Sequence, residues 1–180
     1  EHLIFFGTLL GIIREKNLIQ YDHDSDIFLK NFSDLKLKKL HKILLSNGFN
    51  RSRFDEQLIS YARGGEYTDL YLFKKNENFY KCMDFSIPCI YVEDITKLEI
   101  KKNFFLYIPE EHTKILNMLY GPKWNIPIKN YNALAGMKYG RTNSKILYSL
   151  SVTFPKMYSF FYNEKLKLKI MIKKKYPYLF

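Results

Sequence analysis

The sequence predicts an α+β fold: a small mixed β-sheet flanked by helices. Three observations lead there. The N-terminal third alternates strand-like and helix-like patterns, which favours a sheet with helices laid on it. Residues 49–92 look β-rich and carry a Gly64-Gly65 pair, a hairpin signal. The length, 180 residues, is that of one domain or of one domain with an appendage.

Leu3-Ile4-Phe5-Phe6 is a short apolar run closed by Gly7, which reads as a buried strand. From Thr8 to Glu15, Leu9, Leu10, Ile12 and Ile13 suit a short helix with Thr8 near its start. Residues 17–21 connect it to a second strand, Asp26-Ile27-Phe28-Leu29. Residues 33–47 form the clearest helix. Ser33 or Asn31 can cap it, Leu37, Leu40 and Leu44 fall at helical spacing, and Gly48 can end it in a left-handed turn. Its lysines, Lys36, Lys38, Lys39 and Lys42, read as a solvated face. Strand patterns follow at 58–62, 67–73 and 79–90. A helix is expected over 113–120, stopped by Gly121-Pro122. Beyond Tyr131 the signals weaken, and 165–170 alternates Lys with apolar residues, as an edge strand or a basic helix would. Two units are therefore expected: a folded domain over 1–131 and a basic, aromatic-rich segment over 132–180.

Composition removes several classes. Hydrophobic residues at 47% allow a sizeable core and argue against disorder. No apolar run is long enough for a transmembrane helix, and no signal peptide is visible. The chain opens at Glu1 rather than Met, close to an apolar segment, which suggests an excised fragment. Cys82 and Cys89 have no neighbouring Cys or His pair, so buried thiols are a better reading than a zinc site. The net charge of +11 is uneven: residues 156–180 hold seven Lys against Glu164, a net of +6. This excess points to an anionic partner, and the Lys173-Lys174-Lys175 tail with Tyr176, Tyr178 and Phe180 suits a membrane surface.

Chemistry concentrates between Gly7 and Ile27. Asp22, Asp24 and Asp26 place three carboxylates within five residues. Extended backbone there points Asp24 and Asp26 to one face. Two such carboxylates repel, and a divalent cation is the usual way to keep both ionised. Gly7-Thr8 at a helix start can cradle phosphate through backbone N–H groups and a hydroxyl. Arg14 can add a fork-shaped cation. The alternative is an exposed acidic turn. An EF-hand fails, because the positions that require Gly and Glu hold Ile27 and Ser33.

Gly7-Thr8-Leu9-Leu10-Gly11, Arg14, Tyr21, Asp22, Asp24 and Asp26, in this order and spacing, resemble the signature of the LicD family. That family includes phosphocholine transferases of bacterial surface glycans, and fukutin and fukutin-related protein are similar. His23 occupies a slot that is often acidic in bacterial members. Asp69, in Tyr67-Thr68-Asp69-Leu70-Tyr71, resembles the family's third carboxylate, with Asp84 as its rival. Tyr120-Gly121-Pro122-Lys123-Trp124 resembles the block near the end of the family domain.

The resemblance implies a nucleotidyltransferase-type fold and a metal-dependent phosphotransferase. A phospho-alcohol, such as phosphocholine or ribitol phosphate, would pass from a CDP-activated donor to a glycan acceptor, for instance in lipopolysaccharide or capsule. It implies Mg²⁺ (or Mn²⁺) held by Asp24, Asp26 and Asp69, phosphate bound by Gly7, Thr8 and Arg14, and Asp69 or Asp22 as base. The expected location is the cytoplasm or the cytoplasmic face of a membrane in a bacterium, or the Golgi lumen in a eukaryote. Two other classes stay open: a nucleotidyltransferase acting on a small molecule, protein or RNA, and a non-catalytic basic module binding nucleic acid. Carboxylates beside the phosphate site disfavour the last, so no specific nucleic acid is expected. His23 is a candidate acid/base by residue type, whereas His2, His41 and His112 read as ordinary histidines and Trp124 as half-buried packing.

Overall fold

The structure, a computed structural model, describes residues 1–127 other than Tyr21 and His23, together with Phe154, Met157, Phe160 and Glu164. The expectations for Tyr21, His23, the 131/132 boundary, the 165–170 element and the basic tail with its membrane contact lie outside the described residues.

The fold is mixed α+β, with three helices and several sheets among the described residues. The main sheet has five strands: β1 (His2–Ile4), β2 (Ser25–Leu29), β3 (Asn50–Phe54), β4 (Leu58–Arg63) and β5 (Glu66–Leu72). Their order is β1-β2-β5-β4-β3. Only β2 and β5 run parallel; the other neighbours are antiparallel. Gly64-Gly65 forms the tight β4–β5 turn, with Gly64 at φ +58°, and this turn pairs Arg63 with Glu66. At the β3–β4 turn, the Asp55 carboxylate accepts the N–H groups of Gln57 and Leu58 at 3.0 and 2.8 Å.

One face of this sheet is covered by α2 (Asp34–Ser46), whose Leu37, Leu40 and Leu44 pack on Leu29, Ile59, Tyr61, Leu70 and Leu72. Ser33 caps this helix by accepting the Lys36 N–H, and Gly48 follows it at φ +83°. The opposite face carries the larger core. There α1 (Phe6–Glu15) and α3 (His112–Tyr120) bury Leu9, Ile115 and Leu116 against Phe5, Phe28 and Phe73. Phe28 and Phe73 stack at 4.1 Å between ring centroids. Two small sheets complete this layer: β6 (Lys74–Asn76), β7 (Phe79–Cys82) and β8 (Phe85–Pro88) in one, β9 (Ile95–Lys101) and β10 (Phe104–Pro109) in the other. Cys82 and Cys89 are buried free thiols, as expected. None of the described helices is long and apolar enough to cross a membrane.

Two expectations need correction, and one hairpin lay outside them. The run Leu3-Ile4-Phe5-Phe6 is not all strand: β1 stops at Ile4 and α1 starts at Phe6. Phe5 and Phe6 are both buried, and a short apolar run reads alike as a buried strand or a buried helix start, so hydrophobicity could not separate the two. The 79–90 run folds back on itself, with Met83 at φ +52° in the turn between β7 and β8. The β9–β10 hairpin was not anticipated.

Candidate metal centre

Strand register assembles the site. Asp26 on β2 lies opposite Asp69 on β5, Asp69 opposite Ser60 on β4, and Ser60 opposite Arg53 on β3. These four residues form one row across the sheet, on the face that carries α1. Alternation then sets Tyr71 beside Asp69 on that face, where burial and the neighbouring carboxylates of Asp26, Asp69 and Asp24 push its hydroxyl far above the usual tyrosine range.

The start of α1 grips Asp26 by three bonds. Its carbonyl accepts the Phe5 N–H at 3.0 Å, its carboxylate accepts the Gly7 N–H at 2.9 Å, and its own N–H donates to the Thr8 hydroxyl at 2.7 Å. Phe5 offers no side-chain cap, so the Asp26 carboxylate takes that place at the positive end of the helix. Phe6 enters the helix at φ +42°, a region unfavourable for a bulky residue. Its ring is held between Tyr71 and Phe85, at 4.7 and 4.6 Å between centroids. Gly7 leaves room for the acids: a Cβ there would stand 2.4 Å from an Asp22 oxygen and 3.3 Å from an Asp26 oxygen.

The result is a knot of carboxylates. One oxygen each of Asp24, Asp26 and Asp69 lies within 4.8 Å of the other two. Asp26 and Asp69 are 5% and 9% exposed, too little for water to offset their charge. Burial, reinforced by Asp24, Asp69 and Asp22, pushes Asp26 well above the usual carboxylate range, and the Gly7 N–H offsets only part of this. Burial pushes Asp69 up to about 6, against the opposing pull of Ser60 and Arg53. Asp24 is raised by burial and by Asp69, while a hydrogen bond with Asp22 works the other way. Arg53 is engaged by the Asp55 carboxylate at 2.7 Å. Three convergent hard oxygen donors with a net negative charge fit Mg²⁺ or Mn²⁺.

The candidate residues separate by position. Asp22, Asp24, Asp26, Asp69 and Gly7 come together, with Thr8 directly behind Asp26. The polar atoms expected to cradle phosphate, the Gly7 N–H and Thr8 hydroxyl, are turned to Asp26 instead. Arg14 is not brought to the carboxylates. It lies seven residues further along α1, about 10 Å by helical rise. Its guanidinium bonds Glu15 at 2.6 Å and the Trp124 carbonyl at 3.3 Å, tying α1 to the segment after α3. Asp84 sits exposed in the β7–β8 turn, apart from the cluster that holds Asp69.

Ser60 and Tyr71 escaped the sequence reading. Both were legible in principle. The two-residue Gly64-Gly65 turn fixes Ser60 opposite Asp69, and Tyr71 is two residues along the strand from it. Ser60 is fully buried, and its hydroxyl donates to an Asp69 oxygen. Ser60→Ala is expected to weaken Mn²⁺ binding by about 10–100-fold with an unchanged far-UV spectrum, as for other residues that orient a ligand. Unchanged Mn²⁺ affinity in a titration would remove Ser60 from the site.

The family model described as LicD/FKTN/FKRP, nucleotidyltransferase domain, matches residues 1–130. The chain belongs to the LicD family. LicD membership points to a transferase of phosphotransferase type. The match takes in every element from β1 to α3, including both strands that carry the paired carboxylates. A comparison with curated proteins finds no match.

Proposed function

We propose that this LicD domain transfers a phospho-alcohol from a CDP-activated donor to a glycan hydroxyl and releases CMP. The observation that carries this reading is the convergence of Asp24, Asp26 and Asp69 on one point of a LicD domain. These three residues would hold Mg²⁺ or Mn²⁺, which supplies positive charge for the donor diphosphate and for the phosphate oxygen that leaves with CMP.

The remaining roles belong to the chain. Gly7 and Thr8 fix Asp26, and the missing Cβ of Gly7 leaves the carboxylates room to face the ligand. Ser60 orients Asp69, and Tyr71 lines the same face beside the carboxylates. Asp22 stands beside Gly7 but outside the three-carboxylate group, so its carboxylate suits the role of base. The acceptor oxygen forms a bond to the phosphorus of the phospho-alcohol, the bond from that phosphorus to the CMP oxygen breaks, and the hydroxyl proton passes to Asp22.

The test is CMP release from a panel of CDP-alcohols, with Mg²⁺ or Mn²⁺ and mixed glycan acceptors. Metal-dependent CMP release that disappears in Asp24→Asn/Asp26→Asn supports the reading and names the alcohol. Pyrophosphate release from CTP would replace it with nucleotidyl transfer. Folded protein with neither product, and no calorimetric binding of metal and nucleotide, would defeat both.

A further inference from the structure

The β9–β10 hairpin changes character along its length. At its base, Ile108 is 2% exposed and joins the main core. At its tip, Phe104 is 54% exposed and its neighbour Phe105 37%. Paired aromatics left in water at the end of a hairpin are unusual in a folded domain and mark a contact surface.

Charge is segregated in the same direction. Lys101 and Lys102 stand at the turn; Lys97, four residues earlier on β9 and opposite Tyr107, reaches tipward with its ammonium 3.9 Å from the Phe105 ring centroid. The acids Asp94, Glu110 and Glu111 lie at the base, about 20 Å from Lys101 for a strand of this length. Glu99, the acid within the hairpin, accepts the Asn103 N–H at 3.0 Å and so closes the turn. Asn103 adopts φ +64°, which lets Lys102-Asn103 reverse the chain in two residues. The tip thus combines lysines with exposed phenylalanines on a short, stiff ladder. The β10 strand packs on β1, the edge strand next to the Asp26-bearing β2, with the rings of His2 and Tyr107 meeting edge-on at 5.6 Å.

We propose that the β9–β10 tip docks on an anionic lipid surface. Lys97, Lys101 and Lys102 meet the headgroups, and Phe104 and Phe105 enter the interface beneath them. Lys97, Lys101 and Lys102 against the single acid Glu99 leave this end of the hairpin net positive, which selects a negatively charged partner, and adjacent aromatics select one with an apolar layer under the charge. This inference is independent of the chemistry at the carboxylates.

The experiment is co-sedimentation of the full chain with phosphatidylcholine vesicles, with and without phosphatidylserine. Binding to phosphatidylserine vesicles that weakens with salt is expected. Phe104→Ser/Phe105→Ser and Lys101→Glu/Lys102→Glu should each lower the partition constant about tenfold or more. Mn²⁺ binding at the carboxylates checks that each variant is folded. Since Cys82 and Cys89 are buried, Lys102→Cys can carry a polarity-sensitive dye at the tip. Its emission should shift to the blue with phosphatidylserine vesicles, and an unshifted emission overturns the proposal. So does wild-type partitioning in both variants, which would give the binding to the basic tail. A dimer that Phe104→Ser/Phe105→Ser dissociates, with vesicle binding intact, would assign the tip to a second copy of the chain.

Discussion

Asp26→Asn is expected to lower turnover by about 10³-fold or more and, at the same time, to stabilise the metal-free protein. The two effects share a cause. Asp26 is buried among Asp22, Asp24 and Asp69, so its charge is the least comfortable in the domain until a cation joins it. Asparagine keeps the shape and an oxygen for the Gly7 N–H, and its amide can donate to the neighbouring carboxylates. Removing one like charge is worth about 1–2 kcal/mol here, or roughly 3–8 °C in Tm. Thermal melts in EDTA, set beside Mn²⁺ titration and CMP release, read all three consequences. A variant that melts lower in EDTA yet still binds Mn²⁺ tightly would show that the carboxylates are held by something other than an ion.

The second large effect is an inverted pH dependence of the metal-free protein. Burial lifts Asp69 to about 6 from an ordinary value near 3.8, and Asp24 and Asp26 are lifted as well. The folded state therefore holds these protons more firmly than the unfolded chain does. The resulting stability is fully present below the unfolded pKa and is lost as pH rises through about 6. Between pH 5 and 8, Asp69 alone removes on the order of 1–2 kcal/mol, and Asp26 adds to the loss. Mn²⁺ at about 100 times its Kd should return roughly 2.7 kcal/mol at the alkaline end. In Asp24→Asn/Asp26→Asn, the metal response should be lost and the slope should shrink to the share of Asp69. Metal-free protein that melts higher at pH 8 than at pH 5, with no gain from Mn²⁺, would contradict this account.

Much of this could be seen in the chain itself, and the reasons for the rest are physical. Leu37, Leu40, Leu44 and the flanking Ser33 and Gly48 specify α2, because period, cap and stop agree. Asp24 and Asp26 are close in sequence, so their common face follows from local geometry. Asp69 is distant, and only the parallel pairing of β2 with β5 brings it to them. That ladder is a tertiary fact, which is why Asp84 could compete with Asp69 until the fold was known. Arg14 misled for a related reason: its residue type suits phosphate, but helical rise carries it away from Gly7 and toward Trp124. The β9–β10 hairpin was missed because Lys, Asn and Phe at its exposed end break the alternation that marks a half-buried strand.

The parallel pairing of β2 and β5 also orders events in time. The β4–β5 hairpin closes over a two-residue turn and can form early, whereas Asp26 and Asp69 are roughly forty residues apart along the chain. Closing that long loop costs more entropy than closing a two-residue turn, so the β2–β5 pairing is expected to follow the local hairpin. A nascent or partly melted chain would carry the acids but not their convergence, and would hold a divalent ion only loosely. On the proposed reading, divalent-ion affinity would therefore report on completion of the β2–β5 pairing.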